Sequence, residues 1–146
     1  MAVVTGIRTR ILVRAIPALA LLALANCIFA IYIGLEAYEE DGAVWFDDPN
    51  RSWFTGYCLR YVTVTELGDG DQASRIIWNA SAATSQCLAD FPFRYGVLET
   101  RHDAERFTPP EELQLGKRYE IEVELSNGAG SGNFTIAKDG TILNEW

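Results

Sequence analysis

Residues 71–89 read DQASRIIWNASAATSQCLA, and the way they fold decides the class of the domain around them. Ala73, Ile76, Ile77, Ala80, Ala83, Thr84, Cys87 and Leu88 recur at three- and four-residue steps, which predicts a single apolar stripe on a helix. Asp71 caps its start, and Pro92 forces a stop soon after Asp90. Arg75, Asn79 and Gln86 then face away from the core. The competing reading is a strand through Arg75-Ile76-Ile77-Trp78, whose side chains favour extended backbone. The helix is preferred. It gives an α+β, β-rich fold: an N-terminal transmembrane helix, then a small antiparallel-sheet domain with one packed helix and a C-terminal β-meander.

The strands expected around that helix differ in clarity. In Tyr119-Glu120-Ile121-Glu122-Val123-Glu124-Leu125 apolar residues and glutamates alternate without exception, which predicts a strand with one buried and one wet face. Residues 56–66 are rich in Tyr, Val and Thr without clean alternation, as a central strand covered on both sides requires. Phe93, Tyr95 and Val97 predict a further strand over 93–100, and Thr108-Pro109-Pro110-Glu111-Glu112-Leu113 a short helical turn. Residues 127–132 (NGAGSG) read as a flexible loop, and residues 134–136 resume the sheet. Asp139-Gly140 is the preferred pair for a two-residue hairpin. That turn would place Ile136 opposite Leu143, with Phe134, Ile136 and Leu143 on one face.

Upstream, Ala15–Leu35 is an apolar run of 21 residues. Arg8, Arg10 and Arg14 precede it, and Glu36, Glu39, Glu40 and Asp41 follow. About 20 residues cross a hydrocarbon core as a helix, and the arginine bias keeps the N-terminus cytoplasmic. The expected organisation is a basic N-terminus over 1–14, a signal anchor over 15–35, a juxtamembrane acidic and aromatic segment over 36–55, and a periplasmic or extracellular β-rich domain over 56–146. Two other readings exist. Cleavage could follow Ala23-Leu24-Ala25, but it would leave the apolar residues 28–33 near a new N-terminus. Lipidation could use Cys27, although Asn26 is a poor residue before it.

Charge and cysteine content narrow the functional classes. The three arginines before the run are the only charges up to Leu35, so the remainder carries 9 positive and 20 negative side chains. A net charge of −11 on that part argues against nucleic acid and against an anionic bilayer surface. Cys58 and Cys87 are the only cysteines beyond Cys27, and in an oxidising compartment such a pair forms one disulfide, here from strand to helix. Two thiols and one histidine do not complete a zinc shell. His102, beside Asp103 in a charged stretch, lacks the nucleophile that a triad needs and reads as a surface histidine. Asn50, Asn79 and Asn133 each begin an N-x-S/T sequon, which matters only in a eukaryotic secretory pathway.

No cofactor, no metal and no catalytic group is expected. The first functional reading is a non-catalytic binding or assembly protein of the envelope, such as an accessory subunit or an exported inhibitor, with a protein partner of basic character. The row Glu120, Glu122 and Glu124 is its candidate contact surface, with Trp45 and Trp53 second. The alternative is a small-ligand module whose pocket is lined by Trp45, Trp53 and Trp78. A hydrolase using carboxylates ranks last, because some acidic pair is inevitable in so acidic a chain.

Overall fold

The computed structural model describes residues 31–52, 56–70, 72–83, 86–98 and 104–145, the side chains of 104–106 excepted. Its strands are β1 (Ile31–Gly34), β2 (Glu36–Glu40), β3 (Ala43–Asp47), β4 (Leu59–Glu66), β5 (Arg75–Ala82), β6 (Phe93–Arg94), β7 (Ala104–Thr108), β8 (Lys117–Leu125), β9 (Gly128–Ile136) and β10 (Ile142–Glu145). No helix occurs among the described residues, so the α+β expectation is corrected to an all-β fold. None of them forms a helix long and apolar enough to cross a membrane.

Seven strands form one sheet in the order β1-β9-β8-β4-β5-β7, with β10 also on β9, and β2-β3-β6 form a second. Phe46 and Phe93 of the small sheet meet at 5.4 Å between ring centres, and Phe46 meets Phe134 of the large sheet at 5.6 Å. The two inner faces therefore share a core, which also holds Leu59, Val62, Val64, Trp78, Tyr119 and Ile121. At the sheet margin, Asn144 acts as a surrogate strand. Its Oδ1 accepts from the Ala37 N–H at 2.8 Å, and its Nδ2 donates to the Ala37 carbonyl at 3.0 Å.

Within 71–89, Arg75–Ala82 is strand β5, and the other described residues, 72–74, 83 and 86–89, lie outside any strand or helix. Ile77 and Trp78 are both buried, while Ile76, a member of the expected helical stripe, is 49% exposed. A bulge opposite Val64 and Thr65 is the physical reason, because it slips the pairing and turns two consecutive residues inward. Cys87 consequently lies in a loop, not on a helix. The Cys58–Cys87 disulfide is present with Cα atoms 5.0 Å apart. Beside it the Leu88 N–H donates to the Leu59 carbonyl at 2.7 Å, and the Leu59 N–H donates to Ala89 at 3.2 Å. The bridge thus ties the root of β4 to the chain leaving β5. Closing a loop of 29 positions contributes about 3–4 kcal/mol. Replacing both cysteines by alanine should lower the unfolding free energy by about that much, read from the urea midpoint.

The C-terminal meander β8-β9-β10 stands as expected, but two details differ. Residues 128–132 are strand, not loop, joined to β8 through Ser126-Asn127. The Asp139-Gly140 turn contains three residues, since the Ala137 N–H donates to the Thr141 carbonyl at 2.8 Å and Gly140 carries the positive φ of 89°. This is a turn closed by a glycine bulge. It shifts the register by one, so Ile142 pairs with Ile136, and Leu143 faces outward. Two shorter expectations also change. Strand β6 stops at Arg94, because the Val97 N–H donates to the Arg94 carbonyl in a turn and Gly96 takes a φ of 72°. Residues 109–114 are not helical, and there the Glu111 N–H reaches the Ile77 carbonyl at 3.0 Å.

The compact unit begins at Ile31. The segment 36–55 therefore contributes a hairpin, β2–β3, turned by Asp41 at φ 53° and Gly42 at φ 72°. Before it, β1 runs parallel to β9, with Ile31 opposite Gly128 and Ile33 opposite Gly130. Leu35 then carries the chain into the second sheet. Ile33 and Leu35 are 5% and 2% exposed. The alternate glycines of β9 make this approach possible. A Cβ on Gly128 or Gly132 would run into the backbone carbonyl of Ile31 or Leu35, and one on Gly130 would meet Ile33. The glycines that suggested a loop form a slot for a strand.

Candidate binding face

Strand β8 lies inside the large sheet, and its alternation is realised in full. Tyr119, Ile121, Val123 and Leu125 are buried, while Glu122 and Glu124 are exposed and Glu120 is half-buried. The three carboxylates therefore share the outer face. Two-residue steps along a strand space them by about 7 Å.

Register identifies their neighbours. Glu120 lies between Thr65 and Asn133, Glu122 between Thr63 and Ser131, and Glu124 between Tyr61 and Ala129. One strand further out, Thr63 pairs with Asn79 and Tyr61 with Ser81. Cross-strand partners stand about 5 Å apart, within reach of side-chain contact. The carboxylates are thus set among hydroxyls and amides. On the far edge the Tyr32 phenol and the Ser131 hydroxyl are 2.5 Å apart. The Thr63 hydroxyl is hydrogen-bonded to that of Tyr61, which lets Thr63 be buried without an orphaned polar atom.

Cations are engaged elsewhere on the sheet. Arg75 pairs with Glu66 and Glu111, Lys117 with Glu66 and Asp69, and Arg118 with Glu145. The Arg118 guanidinium, and then the Thr135 hydroxyl, hold the Glu145 carboxyl below the usual carboxylate range. Among the described residues, Glu120, Glu122 and Glu124 form none of the ion pairs found. The face can attract cations and accept hydrogen bonds along a line.

The two described tryptophans lie on different strands. Trp78 is fully buried in the core, where its ring meets Tyr95 edge-on at 5.1 Å. Trp45 lies on the small sheet, in register with Tyr38 on one side and Arg94 on the other. Burial, followed by Asp47 and Glu40, pushes the Tyr38 phenol up, so it stays protonated. Trp45 and Trp78 thus belong to different sheets. Trp53 and His102 lie outside the described residues. The row Tyr38-Trp45-Arg94 had a readable signal: Asp41-Gly42 between alternating segments marks the hairpin that builds it.

Among the described residues, no group of three or more His, Cys, Asp or Glu gathers to hold a metal ion. No family model matches the chain, and no curated protein or solved structure shows significant similarity to it.

Proposed function

We propose that this domain works outside the cytoplasm as a non-catalytic binding or assembly protein, meeting a basic protein partner with the outer face of its large sheet. One observation carries the reading: three carboxylates in line on a central strand, flanked by uncharged side chains and without cationic partners among the described residues. An accessory subunit of an envelope complex or an exported inhibitor would use such a face. Complementary charge accelerates encounter and fixes orientation. The disulfide supports an oxidising compartment. A second reading, a ligand platform, is supported by the row Tyr38-Trp45-Arg94 on the opposite sheet.

The triple variant Glu120→Gln, Glu122→Gln, Glu124→Gln tests the first reading. It removes charge from a wet face and should leave the unfolding midpoint unchanged. Association with a partner captured from the exported compartment should slow by about tenfold or more at low salt, with a flatter salt dependence. An unchanged rate would move the contact to another face, with Trp45→Ala as the next variant to measure.

A further inference from the structure

The run Ala15–Leu35 cannot serve the membrane and the sheet together. Its last residues, Ile31–Gly34, are strand β1, and Leu35 donates its N–H to the Ser131 carbonyl at 2.9 Å. Ile33 and Leu35 fill the core, and three glycines of β9 leave room for this segment and nothing bulkier. What remains of the apolar run is Ala15–Ala30, 16 residues. As a helix rising 1.5 Å per residue this is about 24 Å, short of a core about 30 Å thick. Moving the span back to recover its length would draw Arg14 below the headgroups, where its guanidinium must snorkel.

The same residues match a leader. Arg8, Arg10 and Arg14 precede the apolar stretch 15–22, which is followed by Ala23-Leu24-Ala25. Small residues at the first and third positions before a cut are what a signal-peptidase-type protease accepts. The objection from sequence was the apolar new N-terminus that cleavage would leave. The fold answers much of that objection, because Ile33 and Leu35 are buried in it, Ile31 is partly buried, and only 26–30 would precede β1.

We infer that the exported chain is cut between Ala25 and Asn26, and that Asn26–Trp146 is the working, released protein. Water supplies the second reactant. The Ala25–Asn26 amide bond breaks, hydroxide adds to the Ala25 carbonyl carbon, and the Asn26 nitrogen leaves as an amine. This inference rests on the export reading, and the test separates the two.

The full chain, tagged at its C-terminus, is produced in an exporting bacterial host, then fractionated, sequenced from its N-terminus and weighed intact. The expected result is loss of the first 25 residues, a start at Asn26, and recovery from the aqueous fraction. Ala25→Trp should leave an uncut, membrane-held chain that still carries the Cys58–Cys87 bridge. An uncut wild-type chain with the bridge formed would overturn cleavage while keeping export. A start at a lipid-bearing Cys27, with partition into detergent, would also overturn it. An uncut chain with both thiols free would overturn export itself.

Discussion

Gly128→Ala should cost the domain about 3–6 kcal/mol, the burial of two side chains at about 1.5–3 kcal/mol each. The new methyl would meet the backbone carbonyl of Ile31, which has no rotamer with which to move aside. Strand β1 must then leave the slot, and Ile33 and Leu35 lose their cover. Against a total stability of about 5–15 kcal/mol, this is enough to unfold a marginal domain at moderate temperature. Gly56→Ala is the control, since nothing lies within 4 Å of a Cβ there, and it should shift stability by less than about 1 kcal/mol. Urea titration of the oxidised proteins measures both. An unchanged midpoint for Gly128→Ala would mean that β1 contributes little to the fold.

Trp78 separates size from polarity. It is fully buried, and its Nε1–H has no hydrogen-bond partner among the described residues. Trp78→Ala should cost about 3–5 kcal/mol through the cavity it leaves. Trp78→Phe should cost much less, because the phenyl ring keeps most of the packing and drops a buried donor whose desolvation costs about 1–3 kcal/mol. Nearby, burial pushes the Tyr95 phenol well up, and its hydroxyl donates to the Glu111 carbonyl at 2.7 Å, so that neighbour stays neutral and fixed. Equal losses for the two variants would show that the indole nitrogen is satisfied in solution, for instance by a trapped water.

The elements read correctly from sequence were those whose partners do not affect the pattern. Strand β8 alternates strictly because it pairs with β9 without a bulge and has one wet face, so the glutamate row was visible in advance. Strand β5 misled because its bulge buries Ile77 and Trp78 in succession and mixes two periods into something helix-like. Gly128, Gly130 and Gly132 misled because their reason lies in Ile31, Ile33 and Leu35, about 97 positions earlier in the register. No local window connects those two segments. The Asp41-Gly42 hairpin was legible by the rule applied to Asp139-Gly140. The setting of the candidate face was less so. Which hydroxyls and amides flank each glutamate follows from strand order: β9 follows β8 directly, but β4, on its other side, lies far earlier in the chain.

The parallel pairing of β1 with β9 also governs timing. Strand β1 is the first of the described strands to leave the ribosome, and its partner residues 128–131 follow 97 positions later. Until they emerge, the first strand has no slot to enter, and Ile31, Ile33 and Leu35 stay uncovered. Pairings so distant along the chain close slowly, after shorter loops have formed. A half-made chain is thereby kept open. Its large sheet is complete only once β9 has emerged to receive β1.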